Sequence, residues 1–160
     1  MTKEELLQSL PQIGQVEWIG IRPEKNATLQ ALQRVEISIK KGLLGDHYAG
    51  KSGKRQVTLI QKEHLEVVAR LLGKEYIDPS LTRRNIVVSG INLLAFRDRP
   101  FKIGDLILEG TGSCYPCSKM ETNLGPGGYN AMRGHGGITA KVLKGGNLSL
   151  GDHVELQSTL

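Results

Sequence analysis

Val35-Glu36-Ile37-Ser38-Ile39-Lys40 alternates strictly between apolar and polar side chains, the mark of a strand with one buried and one wet face. Gly14 to Ile21 carries a looser version in Val16, Trp18, Ile19 and Ile21, and Pro23 stops it. Ile138 to Leu143 and His153 to Leu156 also alternate, while Arg55–Ile60, Asn85–Ser89 and Leu106–Glu109 are short, largely apolar runs. Helical spacing occurs in two places. Thr2 to Leu10 opens with a capping box from Thr2 to Glu5 and is ended by Pro11; Lys62 to Leu72 is closed by Gly73. Many short strands, few helices and no regular alternation of the two predict a mainly β protein closed as a barrel, with no parallel α/β sheet. No linker, repeat or low-complexity stretch interrupts the chain, so residues 1–160 are expected to form one domain.

Glycine changes the picture of the second half. The 20 glycines concentrate after position 104, which predicts dense turns and close backbone approaches there. Gly104-Asp105 and Gly151-Asp152 each precede a strand and are expected to be turn residues. Gly45-Asp46-His47 sits in a longer loop and is a candidate to face a site.

Charge and composition narrow the class. A net charge of +5 suits an anionic partner, either a phosphorylated small molecule or a nucleic acid. The basic residues are scattered and aromatics are few, so no nucleic-acid surface is expected. No run approaches the roughly 18 apolar residues of a membrane span. The acidic N-terminus does not read as a secretion signal, so a cytoplasmic protein with reduced thiols is expected.

Both cysteines lie in one bent segment, Gly110-Thr111-Gly112-Ser113-Cys114-Tyr115-Pro116-Cys117. A C-x-x-C pair allows metal ligation, sulfur transfer or thiol redox. No zinc site is expected, because the pair supplies two of four ligands and His135 and His153 lack finger-like spacing. Thioredoxin-like chemistry needs the motif after a strand and at a helix start in a βαβ unit, a setting the sequence pattern does not show. Elsewhere, Arg83-Arg84-Asn85 offers guanidinium forks and a directional amide ahead of a buried strand. Arg133-Gly134-His135-Gly136-Gly137 offers backbone N–H groups that can form an anion nest. Neither phosphate-binding glycine fingerprint is present.

Taken in order, six segments resemble the MOSC domain, named for the C-terminal domain of molybdenum cofactor sulfurase. They are Gly45-Asp46-His47-Tyr48-Ala49-Gly50; Arg55 to Ile60 with Glu63; Arg83 to Leu93; Gly112 to Cys117; Gly134 to Leu143; and Gly151 to Val154. The resemblance implies a closed β-barrel of the pyruvate-kinase-barrel type with a few short helices. It also implies a functional cysteine at Cys117, leaving Cys114 as an additional thiol of open role.

Family members resembling the amidoxime-reducing component use that cysteine to ligate molybdenum in a pterin cofactor and reduce N-hydroxylated compounds. In the sulfurases a separate pyridoxal phosphate domain mobilises sulfur, and a sulfur-carrier role has been put forward for small members. The expected cofactor is therefore molybdopterin, with Cys117 as the metal ligand. Arg55, Arg84, Arg133 and the Gly134, Gly136 and Gly137 backbone are candidates for its phosphate. Asp46 and Asn85 are candidates to orient the pterin or a substrate, and His47 or His135 to carry a proton. A separate electron donor is expected. The alternative is a persulfide on Cys117, loaded by a cysteine desulfurase, with Cys114 as a resolving thiol.

Overall fold

The computed structural model describes residues 1–47 and 53–157. Within them the elements run α1 (Lys3–Gln8), β1 (Gly14–Ile21), β2 (Gln30–Leu32), β3 (Arg34–Ser38), β4 (Gly42–Leu43), β5 (Val57–Gln61), α2 (Lys62–Leu71), β6 (Ile86–Ser89), β7 (Pro100–Ile103), β8 (Leu106–Ser113), α3 (Ser118–Leu124), α4 (Gly128–Met132), β9 (Ile138–Lys144), β10 (Gly146–Ser149) and β11 (His153–Leu156). Residues Tyr48, Ala49 and Gly50 of the first motif lie outside the described residues.

Among the described residues, 7 strands close a barrel in the order β1-β11-β7-β8-β9-β5-β6 and back to β1. Closure depends on β1 dividing one edge between two partners. Its start pairs with β11 through Gly14 and Val154, and its end pairs with β2 through Ile19 and Leu32. A register shift between Val16 and Trp18, on the side facing β6, bends the strand where the two partners part. A small second sheet, β10-β3-β4, carries the alternating segment, with Val35 and Ile37 buried and Arg34 and Glu36 exposed.

Two apolar clusters explain the strand sequences. Ile86 and Val88 point into the barrel with Leu59, Phe96 and Phe101. Val87 and Ile60 point outward into a second cluster, where Leu65 and Val68 of α2 meet Met120 and Leu124 of α3 and Met132 of α4. With helices covering that outer face, β6 is apolar on both sides and reads as a continuous run instead of an alternating one.

The mainly β, closed-barrel expectation holds, and the Thr2–Glu5 capping box is present in both directions. Both Gly-Asp turns are as expected. Gly104 (φ 56°) and Asp105 join paired Ile103 and Leu106, and the Asp152 carboxylate accepts the Ser149 N–H.

Two features differ from the sequence pattern. β5, α2 and β6 form a βαβ crossover with parallel strands inside the otherwise antiparallel barrel. The C-x-x-C motif does follow a strand, β8, and does open a helix, α3; its strand neighbour β9 is antiparallel, so the topology is not that of a thioredoxin. Among the described residues, no helix is long and apolar enough to cross a membrane.

Candidate functional site

β8 runs out at Ser113, and the backbone is pinned there by the Cys114 N–H donating to the Gly137 carbonyl at 2.9 Å. The next three residues turn away from the sheet, and Cys117, in extended conformation, is the residue that precedes α3. This geometry separates the two thiols. Cys114 faces inward at 4% exposure, whereas Cys117 is exposed.

Two chain segments bring cations to Cys117. A 3-10 turn over Pro79–Thr82 is started by the Asp78 carboxylate, which accepts the Ser80 N–H at 3.0 Å. The turn ends at Arg83, held at φ 61°, a left-handed conformation that few non-glycine residues adopt. From there the Arg83 Nη1 stands 3.9 Å from the Cys117 sulfur. Arg22, just past β1, is the second cation. Its backbone N–H donates to the Asp46 carboxylate at 2.7 Å, and its carbonyl accepts the His47 N–H at 2.6 Å. Burial and the neighbouring Arg83 charge lower the Arg22 pKa, while Asp46 and the Cys117 thiolate work the other way. The Lys119 ammonium is tied to the Asn26 side-chain oxygen.

The Cys117 thiol is consequently more acidic than usual. Partial burial acts to raise its pKa, but the Lys119 backbone N–H, the charge and hydrogen bond of Arg83, and the charge of Arg84 together outweigh it. The sulfur makes no capping hydrogen bond of ordinary geometry to α3, although the Lys119 N–H still favours its charged form.

Arg84 has a different task from its neighbour. It is 4% exposed, with Nε on the Gly136 carbonyl, Nη1 on the Thr82 carbonyl, and Nη2 on the Cys114 carbonyl, each at 2.9 Å. A fourth contact reaches the Tyr115 carbonyl at 3.4 Å. All three guanidinium nitrogens are thereby engaged, and through Nε and Nη2 they tie the C-x-x-C turn to the glycine loop.

Asn85 is also engaged within the protein. Its side chain accepts from Thr58 N–H and Oγ1 and donates to the Gly20 carbonyl at 3.1 Å, joining β5, β1 and the start of β6.

The glycine loop packs against the protein itself. A Cβ on Gly136 would lie 2.2 Å from the Cys114 carbonyl oxygen, and one on Gly137 (φ 86°) 1.9 Å from that of Leu59. Only Gly134 of the three opens to free space. Arg133 is exposed and donates to the Asn130 side chain; Arg55 is exposed, and its charge is felt at Arg84. His135 faces the Ala131 carbonyl through Nδ1 at 3.0 Å, which makes Nδ1 the protonated nitrogen of the neutral ring. Its ring meets His64 of α2 edge-on, centroids 5.4 Å apart.

Cys114, Tyr115 and Pro116 form part of the wall of a cleft of about 730 Å³, with Gly134 and Gly136 beside them and His64 and Arg97 among the other lining residues. Cys117 does not line it. The structure thus gathers Asp46, Arg84 and Cys117 on the cation-rich side, and Cys114, Gly134, Gly136 and Gly137 along the cleft. Arg22, Arg83, His64 and Arg97 join them. Arg83 was visible as half of an arginine pair; the other three carry no local signal, since only the fold brings them to the site.

Among the described residues, no group of three or more His, Cys, Asp or Glu could hold a metal ion. The donor set fits a different kind of group: one accessible soft thiolate among guanidinium groups suits a metal already held by other ligands and carried on an anionic cofactor.

The model of the MOSC domain matches residues 40–155. The YuaD protein from Bacillus subtilis superimposes with a TM-score of 0.79 at 18% identity, covering 95% of this chain and 100% of that one. YiiM from Geobacillus stearothermophilus gives 0.74 at 16% identity, over 91% and 75% of the two chains. YiiM from Escherichia coli gives 0.68 at 17%, over 91% and 71%. No curated protein matches the chain.

Proposed function

The chain belongs to the MOSC domain family, and from that premise we propose that it binds the molybdenum cofactor, with the Cys117 thiolate as the protein's ligand to the metal. The observation that carries this is the exposed, acidified Cys117 sulfur beside Arg83. When bound, the cofactor would supply two-electron redox chemistry, and reduction of N-hydroxylated compounds is the reaction class we assign. Arg83, with the Arg84 charge behind it, favours the Cys117 thiolate, and Arg83 and Arg22 would offer N–H groups to the pterin phosphate, with the exposed Arg55 near enough to Arg84 to add its charge. Arg84 acts from behind, fixing the turn that carries Cys117. A separate protein supplies the electrons.

Protein purified anaerobically from a molybdopterin-competent host is the test. Molybdenum and pterin should be present in the wild type and in Cys114→Ser, and absent from folded Cys117→Ser. Equal molybdenum in wild type and Cys117→Ser would reject the assignment.

A second reading, sulfur carriage, is favoured by the same exposure of Cys117. The thiolate would attack the outer sulfur of a desulfurase persulfide, gain that sulfur and release the desulfurase cysteine as thiolate. Cys114, buried but in the cleft wall, is the second thiol of that scheme. Intact mass after incubation with a cysteine desulfurase should then rise by one sulfur in the wild type and not in Cys117→Ser.

A further inference from the structure

The cleft bounded by Cys114, Tyr115 and Pro116 has an unbalanced polar lining. Among the described residues, none that lines it is Asp or Glu. Glu63, next to the lining His64, is turned to the Gly90 N–H at 2.9 Å. Arg97 is exposed on the cleft and, among the described residues, its guanidinium has no hydrogen bond or ion pair. Asn92 accepts the Leu94 N–H through its side-chain oxygen, which leaves its NH2 group without a partner among the described residues. Donors are therefore plentiful.

Several acceptors are already engaged. Arg84 takes the carbonyls of Cys114, Tyr115 and Gly136, all three belonging to lining residues. It also leaves a buried positive charge behind the wall with, among the described residues, no carboxylate in contact, an arrangement that favours an anion in front of it. Apart from Gln61, His64 and Ser113, the remaining side chains of the lining are apolar. Leu93, Leu94, Pro116, Ile138 and the Tyr115 ring supply this apolar surface, with Leu94 56% and Tyr115 75% exposed at the rim. A volume of about 730 Å³ is ample for a ring system.

We propose that this cleft binds a flat ring compound bearing one carboxylate, with Arg97 and the Asn92 amide on the carboxylate and the leucine, proline and tyrosine side chains against the ring. A single guanidinium fork matches a planar monoanion. A phosphate dianion suits the clustered Arg22 and Arg83 beside Cys117 better. As a substrate pocket the cleft rests on the reading of Cys117 as the reactive centre; as a binding site it stands without it.

The experiment is amide NMR titration of the full chain with 2-naphthoate, 2-naphthamide and 2-naphthyl phosphate. The carboxylate should saturate and shift the Leu94, Ser113 and Ile138 amides, with the other two at least about tenfold weaker. Arg97→Ala should weaken 2-naphthoate about tenfold and Arg97→Lys should restore part of the loss. Binding should persist in Cys117→Ser, so that loss of molybdenum and loss of cleft binding are read separately. No saturable 2-naphthoate binding, equal binding of the amide, equal or tighter binding of the phosphate, or an unchanged Arg97→Ala would each overturn the proposal.

Discussion

Arg83 holds its guanidinium 3.9 Å from the Cys117 sulfur, from a left-handed backbone position at φ 61°. Together with the Lys119 backbone N–H, the Arg83 charge favours the thiolate against partial burial, so Cys117 titrates below an ordinary cysteine. Its rate of alkylation by iodoacetamide should therefore reach half-maximum at lower pH than the rate for the unfolded chain. In Arg83→Ala that midpoint should move up, and the rate at pH 7 should fall about three- to tenfold. An unchanged pH profile would show that Arg83 does not control the thiol.

The same residue separates stability from chemistry. Glycine adopts the left-handed region without the penalty of a Cβ, a difference of about 1 kcal/mol. Arg83→Gly should keep or slightly raise the urea midpoint while slowing Cys117 alkylation as much as Arg83→Ala does. A fall in stability larger than in Arg83→Ala would contradict strain at this position.

Arg84 should behave in the opposite way. Replacing it by methionine leaves the Thr82, Cys114 and Gly136 carbonyls without their donor in a buried setting. At about 1–3 kcal/mol for each unsatisfied group, Arg84→Met should lose at least about 3 kcal/mol in urea unfolding. A loss below about 1 kcal/mol would mean that solvent or a rearranged turn replaces the strut.

This contrast also marks what a sequence can express. Val35 to Ser38 was legible because one face is wet, and the Cys114–Cys117 turn because two thiols stand three residues apart. β2, with three residues, and α3, with seven, are too short to display a period. The barrel's βαβ crossover was hidden because β6 is apolar on both faces. Which arginine of Arg83-Arg84 reaches the thiol depends on a left-handed backbone turn, and nothing in an Arg-Arg pair announces it. Arg22 reaches the site only through the barrel's closure, and Arg97 only through a second 3-10 turn, Leu93–Phe96, which ends at it.

The glycine loop was expected as an anion nest, and its packing makes a sharper forecast. Gly137→Ala places a Cβ 1.9 Å from the Leu59 carbonyl oxygen at φ 86°, and should cost more than about 3 kcal/mol or prevent folding. Gly134→Ala meets nothing within 4 Å, so only its φ of 80° opposes it, at about 1 kcal/mol. Comparable melting temperatures for the two variants would remove the close-approach explanation for Gly137.

His64 closes the set with a pH dependence. Its pKa lies below the ordinary 6.5, first because of burial and second because a charge on His135 would oppose its own, with Glu63 acting in the other direction. The unfolded chain therefore binds this proton more readily than the folded one. The associated stability is fully present above the unfolded pKa and declines as pH falls from there to the folded value. His135→Phe should raise the His64 midpoint in a histidine NMR titration, and Glu63→Gln should lower it further. The two shifts carry opposite signs, so a common direction in both variants would show that a change in burial, and not charge at the edge-on ring contact, sets the titration of His64.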